Sequence, residues 1–206
     1  MDLYYSPLAC SLASRITVYE ADAADRVSLH RVDTRAKRTA DGADYLAINP
    51  KGQVPALRTD DGEVLTENAA ILPYLADQFP GAGLAPASGL ERYRLSQWLS
   101  FIGSELHKTV FTPLLSPTAD EGAKAFARAA APARLAYLDA HLTGREHLLD
   151  RFSVADAYLA AVLNWARFTA VDLGPYPAVA AYVDRLHKRP AVARAMQEEM
   201  GLFQAA

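Results

Sequence analysis

Residues 49–79, NPKGQVPALRTDDGEVLTENAAILPYLADQF, predict two antiparallel strands followed by a helix. A strand is expected from Val54 to Arg58. Asp61-Gly62 is a strong signal for a hairpin turn, after which Val64 begins the returning strand. The run AAILPYLADQF then places most of its large apolar residues on one side of a helix. The segment therefore predicts a β-hairpin that leads directly into an amphipathic helix.

The sequence before residue 49 alternates strand and helix patterns. The aromatic-rich run DLYYS predicts a strand that Pro7 ends, and Ser11 to Asp22 has the three- and four-residue apolar spacing of a helix. A second strand is predicted in RVSLHRVD, residues 26–33. The expected order over the first 80 residues is β-α-β-α-β-β-α, an α/β unit with a further helix between its second and third strands.

The segment PGAGLAPASG, Pro80 to Gly89, is the best candidate for a domain boundary. It is rich in Pro, Gly and Ala and nearly without charge. All the patterns after it are helical, beginning with a stripe that contains Leu95, Ile102 and Leu106. The predicted fold class is therefore an α/β domain followed by an all-α domain. We expect the first domain at residues 1–80, a linker at 81–89 and the helical domain at 90–206.

Composition excludes several function classes. The 206 residues carry a formal net charge of −3 with a pI of about 5.9, so neither nucleic acid nor an anionic membrane is an expected partner. No run approaches the roughly 18 consecutive apolar residues of a membrane span. The N-terminus shows no basic segment followed by an apolar one, as a secretory signal would. We therefore expect a soluble, cytoplasmic protein.

Cys10 is the only cysteine, which excludes an intrachain disulfide and a multi-cysteine zinc site, and no metal site is predicted. It lies where the first strand passes into the first helix, whose dipole favours a thiolate. The dipole contributes about 0.3–1 kcal/mol, less than one pKa unit, so hydrogen bonds or a cation must supply the rest. The alternative is an inert buried cysteine. Tyr4, Tyr5 and Ser11 are competing nucleophiles.

Two residue pairs within residues 49–79 could bind a ligand. If the Val54–Pro55 bond is cis, the backbone of Val54 turns outward and can pair with an extended peptide; the alternative is an ordinary trans turn proline. Asn68 is a natural N-cap for the following helix. A helix start binds carboxylates and Glu67 can bind an ammonium group, so this pair could recognise an α-amino acid. Capping alone also explains Asn68.

A polar stripe follows the linker. Gln97, Ser100, Ser104 and His107 recur at spacings of three and four, with Lys108 beside them. A solvated helix face is the usual explanation of such a stripe. An imidazole near Cys10 could instead stabilise a thiolate or move a proton, which makes His107 a candidate catalytic residue.

Five segments together resemble the cytosolic glutathione transferases, and most of all their bacterial beta class. In chain order they are YYSPLACSLAS, NPKGQVPAL, LTENAAILPYLAD, SELHK and RFSVADAYL, and they cover the family's pattern over nearly the whole chain. Cys10 followed by Ser-Leu-Ala-Ser favours the beta class over classes that use Tyr or Ser. The resemblance implies a thioredoxin-like N-terminal domain, an all-helical C-terminal domain and a homodimer with its active site at the domain cleft.

The resemblance also implies roles for individual residues. Cys10 would contact the glutathione sulfur and could form a mixed disulfide with it, while His107 would close the site from the helical domain. Val54, before a cis proline, would pair with the cysteinyl part, and Lys37 would reach a glutathione carboxylate. The γ-glutamyl end would be held at the start of the helix. The implied glutathione-binding set is Lys37, Val54, Pro55, Glu67, Asn68 and Lys108.

Two positions depart from the family pattern, and one motif serves folding. Asn68 stands where many relatives have Ser or Gly, which affects affinity more than function. Ser100 stands where a beta-class Asn is expected and removes one polar arm from the site. Ser153 and Asp156 match the family's capping box.

The favoured function is conjugation of glutathione, as co-substrate, to a hydrophobic electrophile. An alternative on the same fold is thiol–disulfide exchange or peroxidase activity through Cys10. An alternative of another class is a non-catalytic ligand carrier or interaction module. The electrophile pocket is expected to be apolar, although its side chains could equally be core residues. The candidates are Phe111, Leu114, Leu115, Trp165 and Phe168.

Overall fold

The computed structural model describes residues 1–205, and its N-terminal part is a mixed sheet with two helices. The elements are β1 (Asp2–Tyr5), α1 (Leu12–Glu20), β2 (Ser28–Asp33), β3 (Arg38–Thr39), β4 (Ala56–Arg58), β5 (Val64–Thr66) and α2 (Asn68–Gln78). β1 is central, parallel to β2 and antiparallel to β4, and the sheet order is β3-β2-β1-β4-β5. The predicted hairpin is confirmed as the antiparallel pair β4–β5. This is the thioredoxin-like domain that the sequence predicts.

The helix predicted between the second and third expected strands is not formed, so that part of the predicted order was wrong. The short strand β3 and one 3-10 turn, Tyr45–Ala47, take its place. Asp33 Oδ1 accepts two backbone N–H groups of the following turn at 2.8 and 2.9 Å, and Asp44 caps the 3-10 turn. Between residues 40 and 48 only Tyr45 is buried, so a helix here would have no apolar stripe to bury.

The chain is helical from Gly89 through the described C-terminal part, as predicted. The elements are α3 (Gly89–Ser100), a π-helical stretch (Phe101–Phe111), α4 (Thr112–Leu115), α5 (Glu121–Leu142), α6 (Val154–Leu163), a 3-10 segment (Asn164–Phe168), α7 (Pro177–His187) and α8 (Pro190–Gln204). Pro190 is the first residue of α8, where a proline is tolerated, whereas α5 continues through Pro132. Among the described helices, none has the length and apolar character needed to cross a membrane.

Helix α1 packs against both domains. Toward the sheet, its Val18 joins Leu3 of β1 and Leu57 of β4 in one apolar cluster, to which α2 also contributes. Toward the helical domain, Leu12 and Ile16 belong to the large core that α6 and α8 share. Every residue from Leu12 to Val18 is buried. α1 therefore forms part of the core of both domains.

The capping box at the start of α6 is present, as predicted. The Ser153 side chain accepts a backbone N–H of the first turn, and Asp156 accepts the N–H of Ser153 at 2.8 Å. The fully buried carboxyl group of Asp156 also accepts from the Ser153 hydroxyl, from the N–H of Leu148 and from the hydroxyl of Tyr182 at 2.7 Å. One side chain thus holds α6, the preceding loop and α7 together.

We predict that Asp156→Ala lowers the free energy of unfolding by at least about 3 kcal/mol, because several buried donors lose their acceptor at once. Urea unfolding followed by circular dichroism measures the change. Asp150→Ala, which replaces an exposed aspartate in the preceding loop, is the control and should shift stability by less than about 0.5 kcal/mol. Equal effects of the two substitutions would contradict the role of Asp156.

Candidate functional site

A cavity of about 850 Å³ lies between the two domains. The N-terminal domain lines it with the β1–α1 turn, the segment before β4 and the start of α2. The helical domain contributes the π-helical stretch, α6, the 3-10 segment after α6, and α8. The structure brings the following sequence-predicted residues together on its wall: Cys10, Lys37, Val54, Pro55, Glu67, Asn68, His107, Lys108, Leu115, Trp165 and Phe168.

Of the four candidate nucleophiles, Cys10 is the one on the cavity wall. Tyr4 and Tyr5 lie in β1 and are buried in the N-terminal domain. Ser11 is fully buried, and its hydroxyl bonds with the backbone of Ser6 at 3.2 Å. A ligand in the cavity therefore meets the thiol rather than these hydroxyl groups.

Cys10 is a protonated thiol at neutral pH. Burial raises the pKa of the Cys10 thiol to about 11, and the nearby positive charge of Lys108 only partly opposes this effect. The Sγ–H donates to the backbone oxygen of Val54 at 3.3 Å. The helix dipole does not overcome the cost of burying a thiolate, so in this state the group is a hydrogen-bond donor.

The turn that carries Cys10 is held from the helical domain. Leu8 has a φ of 58°, and its N–H donates to Glu199 Oε2 of α8 at 2.8 Å. Its carbonyl oxygen accepts from Trp165 Nε1, also at 2.8 Å. Burial raises the pKa of Glu199 to about 7, and the Leu8 N–H and Arg15 oppose that shift. Glu199 was not predicted from the sequence, although a glutamate in register with Val192 and Ala195 on the buried face of α8 is an available signal.

The segment before β4 presents backbone groups to the cavity. The Val54–Pro55 peptide bond is cis, as the resemblance implied. The carbonyl oxygen of the preceding Gln53 accepts from the Tyr45 hydroxyl and from Asn49 Nδ2, each at 2.7 Å. These two bonds fix the loop so that the carbonyl of Val54 faces the thiol of Cys10.

Asn68 does not cap α2, so that interpretation was wrong. The helix begins at Asn68 itself, and Glu67, with a φ of 70°, occupies the N-cap position. The buried Asn68 side chain turns toward the β1–α1 turn, where Nδ2 donates to the Cys10 carbonyl at 3.2 Å. Within residues 1–205, Asn68 Oδ1 has no hydrogen-bond partner. It is therefore an unused acceptor on the cavity wall.

Lysines from the loops form the polar rim of the cavity. Lys37 Nζ donates to the carbonyl of Gly52 at 2.8 Å, and a Cβ on Gly52 would lie 2.9 Å from the Lys37 side chain. Gly52 also has a φ of 59°, in the left-handed region that favours glycine. Lys51, which the sequence analysis missed, pairs with Glu67 and lowers the pKa of its carboxyl group. The rim carries charges that can exchange partners with an ionic ligand.

The π-helical stretch places His107 and Lys108 on the opposite wall. Burial lowers the pKa of His107 to about 4, and the charge of Lys108 adds to the shift while Glu67 opposes it. His107 is therefore neutral at pH 7. Its Nδ1 lies 2.8 Å from the hydroxyl of Tyr158, a cavity residue that the sequence analysis did not single out. The side chain of Lys108 lines the cavity and has no hydrogen bond or ion pair to a described residue, so its charge is available to the cavity.

The apolar wall differs in part from the predicted one. Leu115, Trp165 and Phe168 line the cavity, and Phe203 of α8 joins them, its ring 6.2 Å from that of Phe168. Among the described residues, Phe111 and Leu114 are not part of the lining. Phe111 is fully buried and packs edge-on against Trp165, and Leu114 packs against the same core. They support the wall from behind.

Two family models match the chain. The model described as the N-terminal domain of glutathione S-transferase matches residues 9–78, and the one described as its C-terminal domain matches residues 104–190. Glutathione S-transferase GstA of Escherichia coli O157:H7 is 45% identical over 202 residues, which are 97% of this chain and 98% of that protein.

Solved structures of similar sequence have the same fold. A sphingomonad glutathione S-transferase in complex with glutathione is 48% identical with a TM-score of 0.91, covering 97% of this chain and 98% of that one. The bacterial beta class glutathione S-transferase of Sphingomonas chungbukensis is 46% identical, also with a TM-score of 0.91 and the same coverage.

We predict that iodoacetamide alkylates unliganded Cys10 slowly at pH 7, because a pKa of about 11 leaves roughly one thiol in ten thousand ionised. Since the thiolate is the reactive form, the rate should rise about tenfold per unit between pH 7 and 9 without levelling off. Lys108→Met should slow the reaction further because it removes the charge that favours the thiolate, whereas Lys188→Met, on an exposed residue outside the cavity lining, should not. A plateau below pH 9 would contradict the raised pKa.

Proposed function

Because the chain belongs to the glutathione S-transferase family, we propose that it binds glutathione between its two domains and conjugates it to a hydrophobic electrophile. The observation that carries the proposal is the composition of one cavity. Backbone and charged groups of the N-terminal domain form its polar part, and aromatic side chains of the helical domain form its apolar part. Cys10, His107 and Lys108 face the same space, where a tripeptide thiol and an apolar partner would meet.

In this proposal glutathione binds as an extended peptide along the N-terminal domain. Its cysteinyl part pairs with the backbone of Val54 beside Pro55. The γ-glutamyl ammonium group binds Glu67, which exchanges its pairing with Lys51, and the free Oδ1 of Asn68 supplies a further acceptor. Lys37 reaches the glycine carboxylate. Each ionic end of the peptide thus meets a group of opposite charge.

The chemical step needs the glutathione thiol as a thiolate. Lys108 favours that anion through its charge. The Cys10 S–H, which donates to the carbonyl of Val54 in the structure, turns to the bound thiolate in this proposal and donates a hydrogen bond to it. The thiol proton passes to water. The sulfur lone pair then forms a C–S bond with the electrophile, and the leaving group departs with the electron pair of the broken bond. The apolar wall excludes water from the reacting carbon.

Thiol–disulfide exchange is the second candidate, because Cys10 lies on the cavity wall. A Cys10 thiolate would attack the mixed disulfide of glutathione with another thiol, take up the glutathionyl group and release that thiol; free glutathione would then restore the Cys10 thiol and leave as oxidised glutathione. The raised pKa of Cys10 makes this attack slow at neutral pH and suits the donor role in conjugation. We therefore place conjugation first.

We extend the proposal to organisation and location. Residues 1–80 would form the glutathione-binding domain, 81–89 the linker and 90–206 the domain that holds the co-substrate. A homodimer and a cytoplasmic location, where the single free thiol stays reduced, remain part of the proposal.

The proposed function is tested by conjugation of glutathione to a chlorodinitrobenzene, followed as absorbance of the thioether. We expect turnover by the wild-type chain and an about tenfold loss in Cys10→Ala, since one hydrogen bond to a charged group is removed while Lys108 remains. Retention on immobilised glutathione without turnover would favour a non-catalytic binding protein. In parallel, intact mass after incubation with oxidised glutathione reports the mixed disulfide. A fast, reductant-reversible adduct in wild type, absent in Cys10→Ala, would move disulfide exchange to first place.

A second prediction concerns the apolar wall. Phe168→Ala or Phe203→Ala should raise the KM for the chlorodinitrobenzene by about threefold or more, because each removes one ring of an aromatic pair that would pack on the substrate. The KM for glutathione is the internal control and should stay within about twofold, as the peptide binds along the other domain. A rise confined to glutathione would contradict the placement of the two substrates.

A further inference from the structure

The buried amide of Asn68 lies where the two domains meet. Asn68 begins α2, is only 5% exposed, and lines the cavity together with Cys10 of the N-terminal domain and Tyr158 of the helical domain. Its Nδ2 donates to the carbonyl oxygen of Cys10 at 3.2 Å. This bond uses one of the two N–H groups of the amide. The second N–H and the amide oxygen are left for groups on the cavity wall.

Two such groups, a thiol and a phenol, lie beside this amide. Burial raises the pKa of the Cys10 thiol to about 11, and a hydrogen bond from Asn68 is among the contacts that oppose this rise. Burial also raises the pKa of the Tyr158 hydroxyl, and a hydrogen bond from Asn68 again opposes the effect. The same amide therefore acts on one group from each domain.

The helix itself does not account for an asparagine at this position. The side chain does not cap α2, and asparagine is a weak helix former. A buried amide whose hydrogen bonds are not made costs about 1–3 kcal/mol. Hydrogen bonds to Cys10 and Tyr158 offset that cost, so the burial of Asn68 is explained by its partners across the cavity.

Charged and titratable groups face the thiol from several elements. Lys108, on the π-helical stretch, favours the thiolate, and Glu67, before α2, disfavours it. Burial lowers the pKa of His107 to about 4, which leaves the imidazole neutral at pH 7. Burial raises the pKa of Tyr158 and that of Tyr45, so both phenols are also neutral. An amide has no titration in this range, so a hydrogen bond from it acts on the thiol in the same way at every pH.

We propose that Asn68 is a positioning residue for Cys10: its amide binds the carbonyl group of Cys10 and the hydroxyl group of Tyr158, holds the thiol between the two domains and donates a hydrogen bond to its ionised form. An amide oxygen accepts two hydrogen bonds, so Oδ1 remains able to accept from a bound ligand as well.

This role serves both reactions that were considered for the cavity. In conjugation, a donor to the Cys10 sulfur strengthens the hydrogen bond that the S–H group gives to the glutathione thiolate. In disulfide exchange, the same donor stabilises the attacking thiolate. The inference rests on the proposed function only in that Cys10 meets the glutathione sulfur.

Alkylation of Cys10 by iodoacetamide at pH 9 tests the proposal, because the thiolate is the reactive form. Asn68→Ala should lower the rate about threefold or more, as expected for the loss of one hydrogen bond to a charged group. Asn68→Asp keeps the size of the side chain, replaces the donor by a negative charge and should lower the rate about tenfold or more. If Asn68→Ala does not fold, the isosteric Asn68→Asp decides. Tyr182→Phe removes a buried hydroxyl that bonds to Asp156 and, as the control, should leave the rate unchanged.

A double-mutant cycle tests the link to the helical domain. Tyr158→Phe alone should slow alkylation about twofold, and in an Asn68→Ala background it should have no further effect, because the residue through which it acts is gone. Effects that multiply would overturn the proposal, as would a wild-type rate in a folded Asn68 variant. A raised KM for glutathione with unchanged alkylation would also overturn it, since Asn68 would then serve the γ-glutamyl end alone. Alkylation needs neither glutathione nor turnover, so it separates failure of this role from failure of the proposed conjugation.

Discussion

Both backbone groups of Leu8 are bound by side chains of the helical domain, and the position of the reactive thiol depends on this constraint. Glu199 of α8 accepts the N–H, and Trp165 donates to the carbonyl two residues before Cys10. Leu8 has a positive φ, which a leucine adopts only where its surroundings impose it. The thiol belongs to the sheet domain in sequence, but two side chains of the helical domain determine where it lies.

In the cavity, positive charge and hydrogen-bond donors come from different residues. Burial keeps the Cys10 thiol protonated and His107 neutral, so neither group contributes a charge at pH 7. Lys108 is the cation that both groups sense. A bound thiolate would therefore receive its Coulomb attraction from one residue and its hydrogen bonds from others. In a half-enclosed site such an attraction is much stronger than in bulk water, because fewer solvent dipoles screen it.

Much of the fold follows from local sequence signals, and the exceptions have physical causes. The Asp61-Gly62 hairpin and the capping box at Ser153 were predicted because their geometry depends on neighbouring residues alone. Asn68 was misassigned because the positive φ of Glu67 shifts the helix start by one residue, which no periodicity reveals. Phe111 was a pocket candidate that could equally be a core residue, because an apolar side chain alone does not distinguish the two; in the structure it is fully buried in the core.

The residues of the site that the sequence analysis missed are polar groups on buried helix faces. Tyr158 on α6 and Glu199 on α8 occupy positions where the helical spacing predicts buried apolar residues. Their contacts with His107 and Leu8 become visible only in the structure.

Helix α1 has a wider consequence for engineering. Because its opposite faces belong to the cores of both domains, a chimera that joins the first 80 residues to the helical domain of a relative would inherit a mismatched seam along Leu12 and Ile16. To transfer substrate specificity between relatives, α1 would have to be transferred together with the helices of the C-terminal domain against which it packs.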